Sequence, residues 1–270
     1  MPDSFILKED LDIVMDGGYG TDSISFTNTT VQIEDVGPVD GFTGKIGSNA
    51  SFDDIDAIIG TSGTNTLQRV NANTPLPATW VLNSTTGNSY TEGTRTLSFS
   101  GMKNLIGTTV VDTFNVTGSH FVNVTSDGGD DVFNFNDYTS GTQTLVSEIT
   151  GTINAGETDE TIGDTLRYST VTQNVTVNLA TLTTFEIAIG GNANDTLIGT
   201  SSPNAFVIMT PGGGSVTDLG ITFSNFETLQ GAAGVDSFTF SNAGTIKQID
   251  GGAGNDSIDL SAYTTARNVE

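Results

Sequence analysis

The sequence predicts an all-β protein, and more narrowly a right-handed parallel β-solenoid with coils of about 20 residues. Three observations favour this fold class: a recurring glycine-rich turn, alternating apolar residues after the turn, and a regular short spacing. Neighbouring turns recur at intervals of about 20 residues, from Gly231 to Gly251 and from Gly107 to Gly128. A string of tandem β-sandwich domains is the alternative fold, but it does not explain this spacing.

The clearest copy of the turn is DGGAGNDSIDL at residues 250–260, and DGGYGTDSISF at residues 16–26 repeats it in residue type. The glycines permit the positive-φ backbone of a tight turn. The Asp that follows them can accept hydrogen bonds from local backbone N–H groups or bind a cation. Ile258 and Leu260 then alternate with polar residues, which is typical of a strand with one buried face.

Four further copies keep the same frame, with an Asp or Asn five residues after a Gly and an apolar residue seven after it. They are Gly60/Asn65/Leu67, Gly107/Asp112/Phe114, Gly190/Asp195/Leu197 and Gly231/Asp236/Phe238. Each copy is predicted to be a turn followed by a strand. Longer gaps, such as those from Gly190 to Gly231 and from Gly60 to Gly107, are interpreted as two coils, one of them degenerate. Phe114, Phe133 and Phe238 are predicted to be buried.

Longer internal matches arrange the turns into supermodules. The segment at 221–240 matches the segment at 97–116 in residue type along its length. The chain is therefore predicted to be one continuous solenoid, 1–270, of two supermodules, 16–126 and 127–249, and the start of a third, 250–270. Because neither end shows a polar cap, a piece of a longer repeat protein is expected.

The charge excludes some classes of partner. Eight Lys and Arg against 32 Asp and Glu give a formal net charge of −24. Binding to nucleic acid or to anionic lipid is therefore not expected. Cations are the natural counter-charge, and carboxylate oxygens suit hard ions such as Ca²⁺.

The sequence also limits location and cysteine chemistry. It contains no cysteine, so neither disulfides nor thiolate metal sites are predicted. The first residues, MPDSFILKEDLDI, do not show the pattern of a signal peptide. No apolar run approaches the ~20 residues of a membrane helix, so no membrane insertion is expected.

The two best turns resemble the RTX, or haemolysin-type, calcium-binding repeat, Gly-Gly-x-Gly-x-Asp followed by an apolar residue. This resemblance implies a parallel β-roll in which Ca²⁺ lies between successive turns, held by Asp carboxylates and glycine carbonyls. The metal ligands that it implies are Gly17, Gly18, Gly20, Asp22, Gly251, Gly252, Gly254 and Asp256 and, less fully, Gly190, Asp195, Gly231 and Asp236. The spacing departs from the family, whose repeats follow one another as uninterrupted nonapeptides.

The longer repeats resemble those of very large secreted or surface-exposed bacterial proteins and adhesins. This resemblance implies an extracellular or cell-surface bacterial location and a structural or adhesive role as a stalk, spacer or surface element. Calcium ions, surface glycans and other copies of the chain are the partners it implies. A surface-layer or filament subunit is a further alternative.

Two other interpretations stay open for the acidic residues. The turn Asp can simply close the turn by hydrogen bonding, and Asn65 in one copy favours that role. Alternatively, paired carboxylates would serve a polysaccharide-active β-helix enzyme. The clusters that could supply them are Asp53/Asp54/Asp56, Asp127/Asp130/Asp131 and Asp159/Glu160/Asp164. Because few basic residues accompany them, no catalytic residue and no enzymatic activity are predicted.

The single histidine and the single tryptophan are also informative. With His120 alone, neither a Ser-His-Asp triad nor a histidine-rich metal site can be built. Trp80 is predicted to pack in the core rather than to form a sugar-stacking platform.

Overall fold

The structure, a computed structural model, describes residues 1–8, 12–70, 76–156, 158–182 and 184–263. The predicted start of a third supermodule is therefore described only as far as residue 263. Within these ranges the chain is all-β, as predicted, and its sheets are rich in parallel strand pairs. The one helical element described is a 3₁₀ turn, Leu179–Thr181, and no described helix is long and apolar enough to cross a bilayer.

The strands are named in chain order. The first sixteen are β1 (Ser4–Ile6), β2 (Val14–Asp16), β3 (Ser23–Phe26), β4 (Thr30–Val36), β5 (Phe42–Ile46), β6 (Ala50–Ile55), β7 (Ala57–Gly60), β8 (Thr66–Arg69), β9 (Ala78–Asn83), β10 (Asn88–Glu92), β11 (Arg95–Ser100), β12 (Asn104–Ile106), β13 (Asp112–Thr117), β14 (Ser119–His120), β15 (Asn123–Thr125) and β16 (Val132–Phe135). The others are β17 (Asp137–Ser140), β18 (Gln143–Val146), β19 (Glu148–Ile149), β20 (Ile153–Asn154), β21 (Thr165–Arg167), β22 (Thr176–Asn178), β23 (Ile187–Ile189), β24 (Thr196–Ile198), β25 (Ala205–Thr210), β26 (Gly213–Val216), β27 (Ile221–Ser224), β28 (Thr228–Gln230), β29 (Ser237–Phe240), β30 (Gln248–Asp250) and β31 (Ser257–Asp259).

The chain divides into two compact units. Residues 1–133 and 147–162 belong to the first unit, and residues 134–146 and those from 163 onward belong to the second. In the first unit one sheet has the strand order β1-β3-β7-β11-β10-β9-β13, and the other has the order β2-β6-β5-β4-β8-β12-β15-β20. In the second unit the orders are β21-β23-β27-β26-β25-β29-β31 and β22-β24-β28-β30.

Parallel pairs recur at the predicted short period. β1 and β3 pair with Ser4 opposite Ser23. In the second unit β22 pairs with β24, with Thr176 opposite Thr196, and β29 pairs with β31. The paired segments are thus separated along the chain by 19 or 20 residues, close to the predicted spacing. A segment of this length contributes a strand to one sheet, then a strand to a second sheet, and then a strand that pairs with the first.

The longer gaps have a different cause from the predicted one. β24 pairs directly with β28, with Thr196 opposite Thr228, so no degenerate coil lies between them. The extra residues instead form β25, β26 and β27, which pair in antiparallel fashion within the opposite sheet of the unit. We call such an insertion a meander. The gap from Gly60 to Gly107 contains another, β9–β11, and β4–β6 form a third. The interpretation of these gaps as two coils is therefore wrong.

Aromatic side chains stack between paired strands inside each unit. In the first unit Phe114 lies between Trp80 and Phe133, with ring centroids 5.6 and 4.6 Å away and interplanar angles of 9° and 8°. In the second unit Phe206 and Phe238 stack with centroids 4.9 Å apart. All five side chains are buried, which confirms the prediction for Phe114, Phe133, Phe238 and Trp80. Burial of such rings stabilises each unit, because it removes large apolar surfaces from water.

One predicted inward-facing residue does not follow this pattern. Ile258 is 54% exposed. Its strand, β31, is the last of its sheet and pairs only with β29 among the described strands. Alternation alone does not reveal whether a neighbouring strand is present to cover a side chain.

Candidate functional site

The two best glycine-rich turns share one backbone conformation. Gly18 and Gly252 have φ angles of 67° and 82°, and Gly20 and Gly254 have φ angles of 151° and 150°. Residues with a Cβ rarely adopt these conformations. The predicted positive-φ turn backbone is therefore confirmed at these glycines.

Gly17 and Gly251 serve the turn differently, by letting the Asp side chain come close to the backbone. A Cβ on Gly251 would overlap Oδ2 of Asp256, and one on Gly17 would lie 2.7 Å from the Cβ of Asp22. The first glycine of each turn therefore leaves the space in which the carboxylate folds back.

The less complete copies in the second unit are also crowded at their first glycine. A Cβ on Gly231 would overlap the carboxylate of Asp236, and a Cβ on Gly190 would overlap the carbonyl oxygen of Asn225. Asp195 and Asp236 are completely buried, whereas Asp256 is half-buried.

The buried turn carboxylates accept backbone hydrogen bonds. Oδ1 of Asp195 accepts from the N–H of Val175 at 2.7 Å, and its Oδ2 accepts from the N–H of Gly191 at 2.6 Å. Val175 immediately precedes β22, the parallel neighbour of the strand that follows Asp195. Asp195 thus closes its own turn and also bonds to the preceding one.

The same bond repeats from turn to turn. Oδ1 of Asp256 accepts from the N–H of Asp236 at 2.9 Å, and Oδ1 of Asp236 accepts from the N–H of Asn204 at 2.7 Å. These bonds span 20 and 32 residues, the same separations as the parallel strand pairs beside them. We call this series of side-chain acceptors the acceptor ladder.

The acceptor ladder is also present in the first unit. Oδ1 of Asp22 accepts from the N–H of Asp3 at 2.5 Å, and Oδ1 of Asp131 accepts from the N–H of Asp112 at 2.6 Å. Each bond spans 19 residues. An ionised acceptor strengthens a hydrogen bond, so these carboxylates fix the register of the turns that they join.

Asn65 fills the same position with a different side chain. Its Oδ1 accepts from the N–H of Thr29 at 3.2 Å, and its Nδ2 donates to the carbonyls of Ser62 and Gly101, both at 3.1 Å. An amide can therefore replace the carboxylate, which agrees with the turn-closure interpretation.

Two glutamates belong to the acceptor ladder and were missed in the sequence. Oε2 of Glu186 accepts from the N–H of Asp164, and Oε2 of Glu227 accepts from the N–H of Asp195, both at 2.8 Å. Each glutamate follows a buried phenylalanine, in the segments TFEIA and NFETL. This repeated Phe-Glu pair was the signal that would have identified them.

The acidic clusters considered for catalysis hold loops in place. Oδ1 of Asp54, which is 2% exposed, accepts from two backbone N–H groups of the β4–β5 loop at 2.9 and 3.1 Å. Oδ1 of Asp130 accepts from the N–H groups of Thr161 and Ile162 at 2.8 and 2.9 Å. Asp54, Asp127 and Asp159 also have positive φ angles, which Asp tolerates better than most residues.

Three carboxylates from separate segments of the first unit converge. One oxygen each from Asp22, Asp40 and Asp56 lie within 4.8 Å of one another, and we call this group the Asp22–Asp40–Asp56 cluster. Asp22 precedes β3, Asp40 lies in the β4–β5 loop, and Asp56 lies between β6 and β7. Asp22 and Asp56 belong to different sequence motifs, and Asp40 belongs to none of them.

The charges of the cluster act on one another. Burial raises the pKa of Asp56 above its ordinary value, a hydrogen bond from the N–H of Asp22 opposes this shift, and the charges of Asp40 and Asp22 raise the pKa further. The mutual repulsion is the expected result of placing like charges close together with little water between them.

The first unit also contains a buried ion pair. Nε of Arg69 donates to Oε2 of Glu92 at 2.7 Å, and Nη2 donates to Oε1 at 2.9 Å, so the pair is bidentate. The hydroxyl of Tyr90 donates to Oε2 of Glu92 at 2.6 Å. Burial alone would raise the pKa of Glu92, but hydrogen bonds from Arg69 and Tyr90 hold it below its ordinary value. The pair is a structural element of the core that no sequence motif indicates.

Comparison with known proteins assigns the chain to no family. It matches no model of a protein family, and a search of curated proteins also finds no match.

Proposed function

We propose that this chain is a structural repeat segment, a right-handed parallel β-solenoid that serves as a stalk, spacer or adhesive surface element of an extracellular bacterial protein. Calcium ions are its proposed small partner, and surface glycans or further copies of the chain are its proposed large partners. In this role the chain is a scaffold, and its function depends on its stability and its length.

The observation that carries this proposal is the repetition of one hydrogen bond. The N–H of Val175 bonds to Asp195 across 20 residues, and the N–H of Asp112 bonds to Asp131 across 19 residues. The same geometry thus joins successive turns in both units. In solenoid proteins each repeat contacts mainly its neighbours along the chain. Such a fold presents long surfaces rather than one enclosed site.

The apolar stacks and the short separations support the same fold. Phe114 stacks on Phe133, and Phe206 on Phe238, each pair across neighbouring strands of a sheet. Crossover connections between parallel strands are right-handed in nearly all proteins, which supports the proposed hand.

The acidic clusters favour this scaffold over a polysaccharide-active enzyme. Asp54 and Asp130 each accept two backbone N–H bonds within their own unit, so these carboxylates already have a structural role. We expect no product release from pectic, alginate or neutral polysaccharides above background. Turnover that is abolished by Asp53→Asn or Asp130→Asn would contradict the proposal.

Mechanical unfolding tests the scaffold directly. The chain would be placed between two well-characterised marker domains and extended in a single-molecule force experiment. A scaffold should resist force and then release chain in discrete steps, each lengthening the tether by about 3.3–3.6 Å per residue released. A control tether of the two marker domains joined by a flexible linker gives the reference trace. Smooth extension at low force, without steps, would overturn the proposal.

A further inference from the structure

The Asp22–Asp40–Asp56 cluster combines three carboxyl groups without an ion-pair partner. The oxygens lie within 4.8 Å of one another, and among the described residues no Lys or Arg forms an ion pair with any of them. Arg95 contributes positive charge near Asp56, but its Nη2 donates to the carbonyl of Val39 at 2.9 Å. The cluster therefore has a charge that its own neighbours do not neutralise.

Two oxygens of the cluster are buried and make no hydrogen bond. They are Oδ2 of Asp22 and Oδ1 of Asp40, and the side chain of Asp22 is 0% exposed. Buried polar atoms are nearly always paired, because an unpaired one loses its interactions with water and gains nothing in return. These two oxygens thus point independently to a missing partner.

The backbone holds the other oxygens in place. Oδ1 of Asp22 accepts from the N–H of Asp3 at 2.5 Å, and Oδ2 of Asp56 accepts from the N–H of Asp22 at 2.9 Å. Oδ2 of Asp40 accepts a longer bond, 3.4 Å, from the N–H of Gly20. In Asp22 and in Asp40, one carboxylate oxygen accepts a backbone hydrogen bond and the other has no hydrogen bond. The backbone therefore orients both carboxylates before a ligand binds.

We propose that the Asp22–Asp40–Asp56 cluster binds one calcium ion. The unbonded oxygens of Asp22 and Asp40 and one oxygen of Asp56 are its carboxylate ligands. The ion offsets most of the negative charge of the cluster and connects the turn before β3, the β4–β5 loop and the start of β7. This proposal goes beyond the scaffold role, since it concerns a calcium site at the meander β4–β6.

The kind of ligand favours calcium over magnesium. Calcium binds oxygen at about 2.3–2.6 Å and takes six to eight oxygen ligands, whereas magnesium binds at about 2.0–2.1 Å and usually keeps several waters. Calcium also accepts irregular sets of carboxylates, carbonyls and water, whereas magnesium demands near-octahedral geometry.

This site differs from the ligand set implied by the glycine-rich turns. Asp195 occupies the turn position of Asp22, but both of its oxygens accept backbone N–H bonds. Asp236 has a buried Oδ2 without a hydrogen bond, yet no group of three metal-ligating side chains among the described residues includes it. At Asp22, by contrast, a turn carboxylate, an unbonded buried oxygen and two further carboxylates coincide.

Calorimetric titration of the purified chain with CaCl₂ and with MgCl₂, at constant ionic strength, tests the proposal. We expect calcium binding with a dissociation constant of ~10⁻⁴–10⁻³ M, the range of extracellular modules, and at least tenfold weaker magnesium binding. Asp40→Asn should weaken calcium binding at least tenfold. Asp40 lies in a loop and is only partly buried, so this variant should fold, which circular dichroism would verify.

Asp195→Asn is the matched control, because it alters an equivalent buried turn carboxylate outside the cluster. Its calcium affinity should stay within about twofold of that of the wild type. Should Asp40→Asn fail to fold, Asp56→Asn takes its place. Absence of calcium binding by the wild type up to tenfold above the expected range, or equal affinity in the cluster variant, would overturn the proposal. Loss of binding in Asp195→Asn alone would also overturn it, by placing the ion at the glycine-rich turns instead.

Discussion

The indole Nε1 of Trp80 donates a 3.1 Å hydrogen bond to Oδ1 of Asp112, and both side chains are completely buried. Oδ2 of Asp112 accepts from the N–H of Thr108 at 2.7 Å. Burial raises the pKa of Asp112 to about 7, although the hydrogen bonds from Thr108 and Trp80 lower it. The single tryptophan of the chain is therefore in contact with a carboxyl group that titrates near neutral pH.

The first prediction is a pH-dependent stability. Because the pKa of Asp112 is higher in the folded state than its ordinary value of 3.8, the folded state holds this proton more tightly than the unfolded state. The stabilisation is fully present below pH 3.8 and is lost as the pH rises through about 7. In urea unfolding between pH 3.8 and about 7, the free energy of unfolding should decline as the pH rises. Asp112→Asn should make this decline smaller. Trp80 emission in the folded protein should titrate near pH 7. Identical pH slopes in both proteins would contradict the assignment.

The second prediction concerns the aromatic stack of the second unit. Phe238 is 1% exposed, so Phe238→Ala should lower the free energy of unfolding by ~3–5 kcal/mol, because the lost ring leaves a cavity beside Phe206. Ile258→Ala is the control, since Ile258 lies on the neighbouring strand β31 but is 54% exposed. Its effect should be near the ~0.5 kcal/mol of ordinary surface changes. Chemical denaturation measures both, and equal losses would argue against a packed stack.

The third prediction tests the acceptor ladder. Asp195→Ala removes the acceptor of the N–H groups of Val175 and Gly191, and each unpaired buried donor should cost ~1–3 kcal/mol. Asp195→Asn should cost less, because it retains one acceptor oxygen. Amide hydrogen exchange at Val175 and Gly191 should accelerate in the alanine variant. Asp16→Ala, at an exposed position, is the control. Unchanged exchange at both amides would show that these bonds do not hold the turn.

The fourth prediction concerns the buried pair of Arg69 and Glu92, whose side chains are 1% and 4% exposed. Glu92→Gln leaves a buried guanidinium without its counter-charge, so it should destabilise the fold by ~3–5 kcal/mol. The double variant Arg69→Met with Glu92→Met removes both charges and should lose less than the sum of the single variants. A double-mutant cycle from urea unfolding measures the coupling. Additive losses would indicate that the two charges do not interact.

The sequence predicted those features that depend on local conformation. The φ angles of Gly18 and Gly20 recur at Gly252 and Gly254, because only glycine satisfies that turn. The burial of Phe114 followed from period-two alternation, which is a property of a few consecutive residues.

Other features depend on long-range pairing and could not be predicted. The alternation in β25 is the same whether its neighbour is parallel, as β29 is, or antiparallel, as β26 is, so the meanders were not recognised. The approach of Asp40 to Asp22 depends on how a hairpin loop lies against a turn from another segment. Neither residue type nor spacing specifies such an approach.

All bonds of the acceptor ladder described above run in one direction along the chain. The N–H belongs to the earlier residue and the accepting oxygen to the later one, from Asp3 and Asp22 to Asn204 and Asp236. In a chain that emerges amino end first from a ribosome or an export channel, the backbone N–H of each of these bonds therefore emerges before the side-chain oxygen that accepts from it. Folding by this route has a built-in order, in which each turn is completed by its successor.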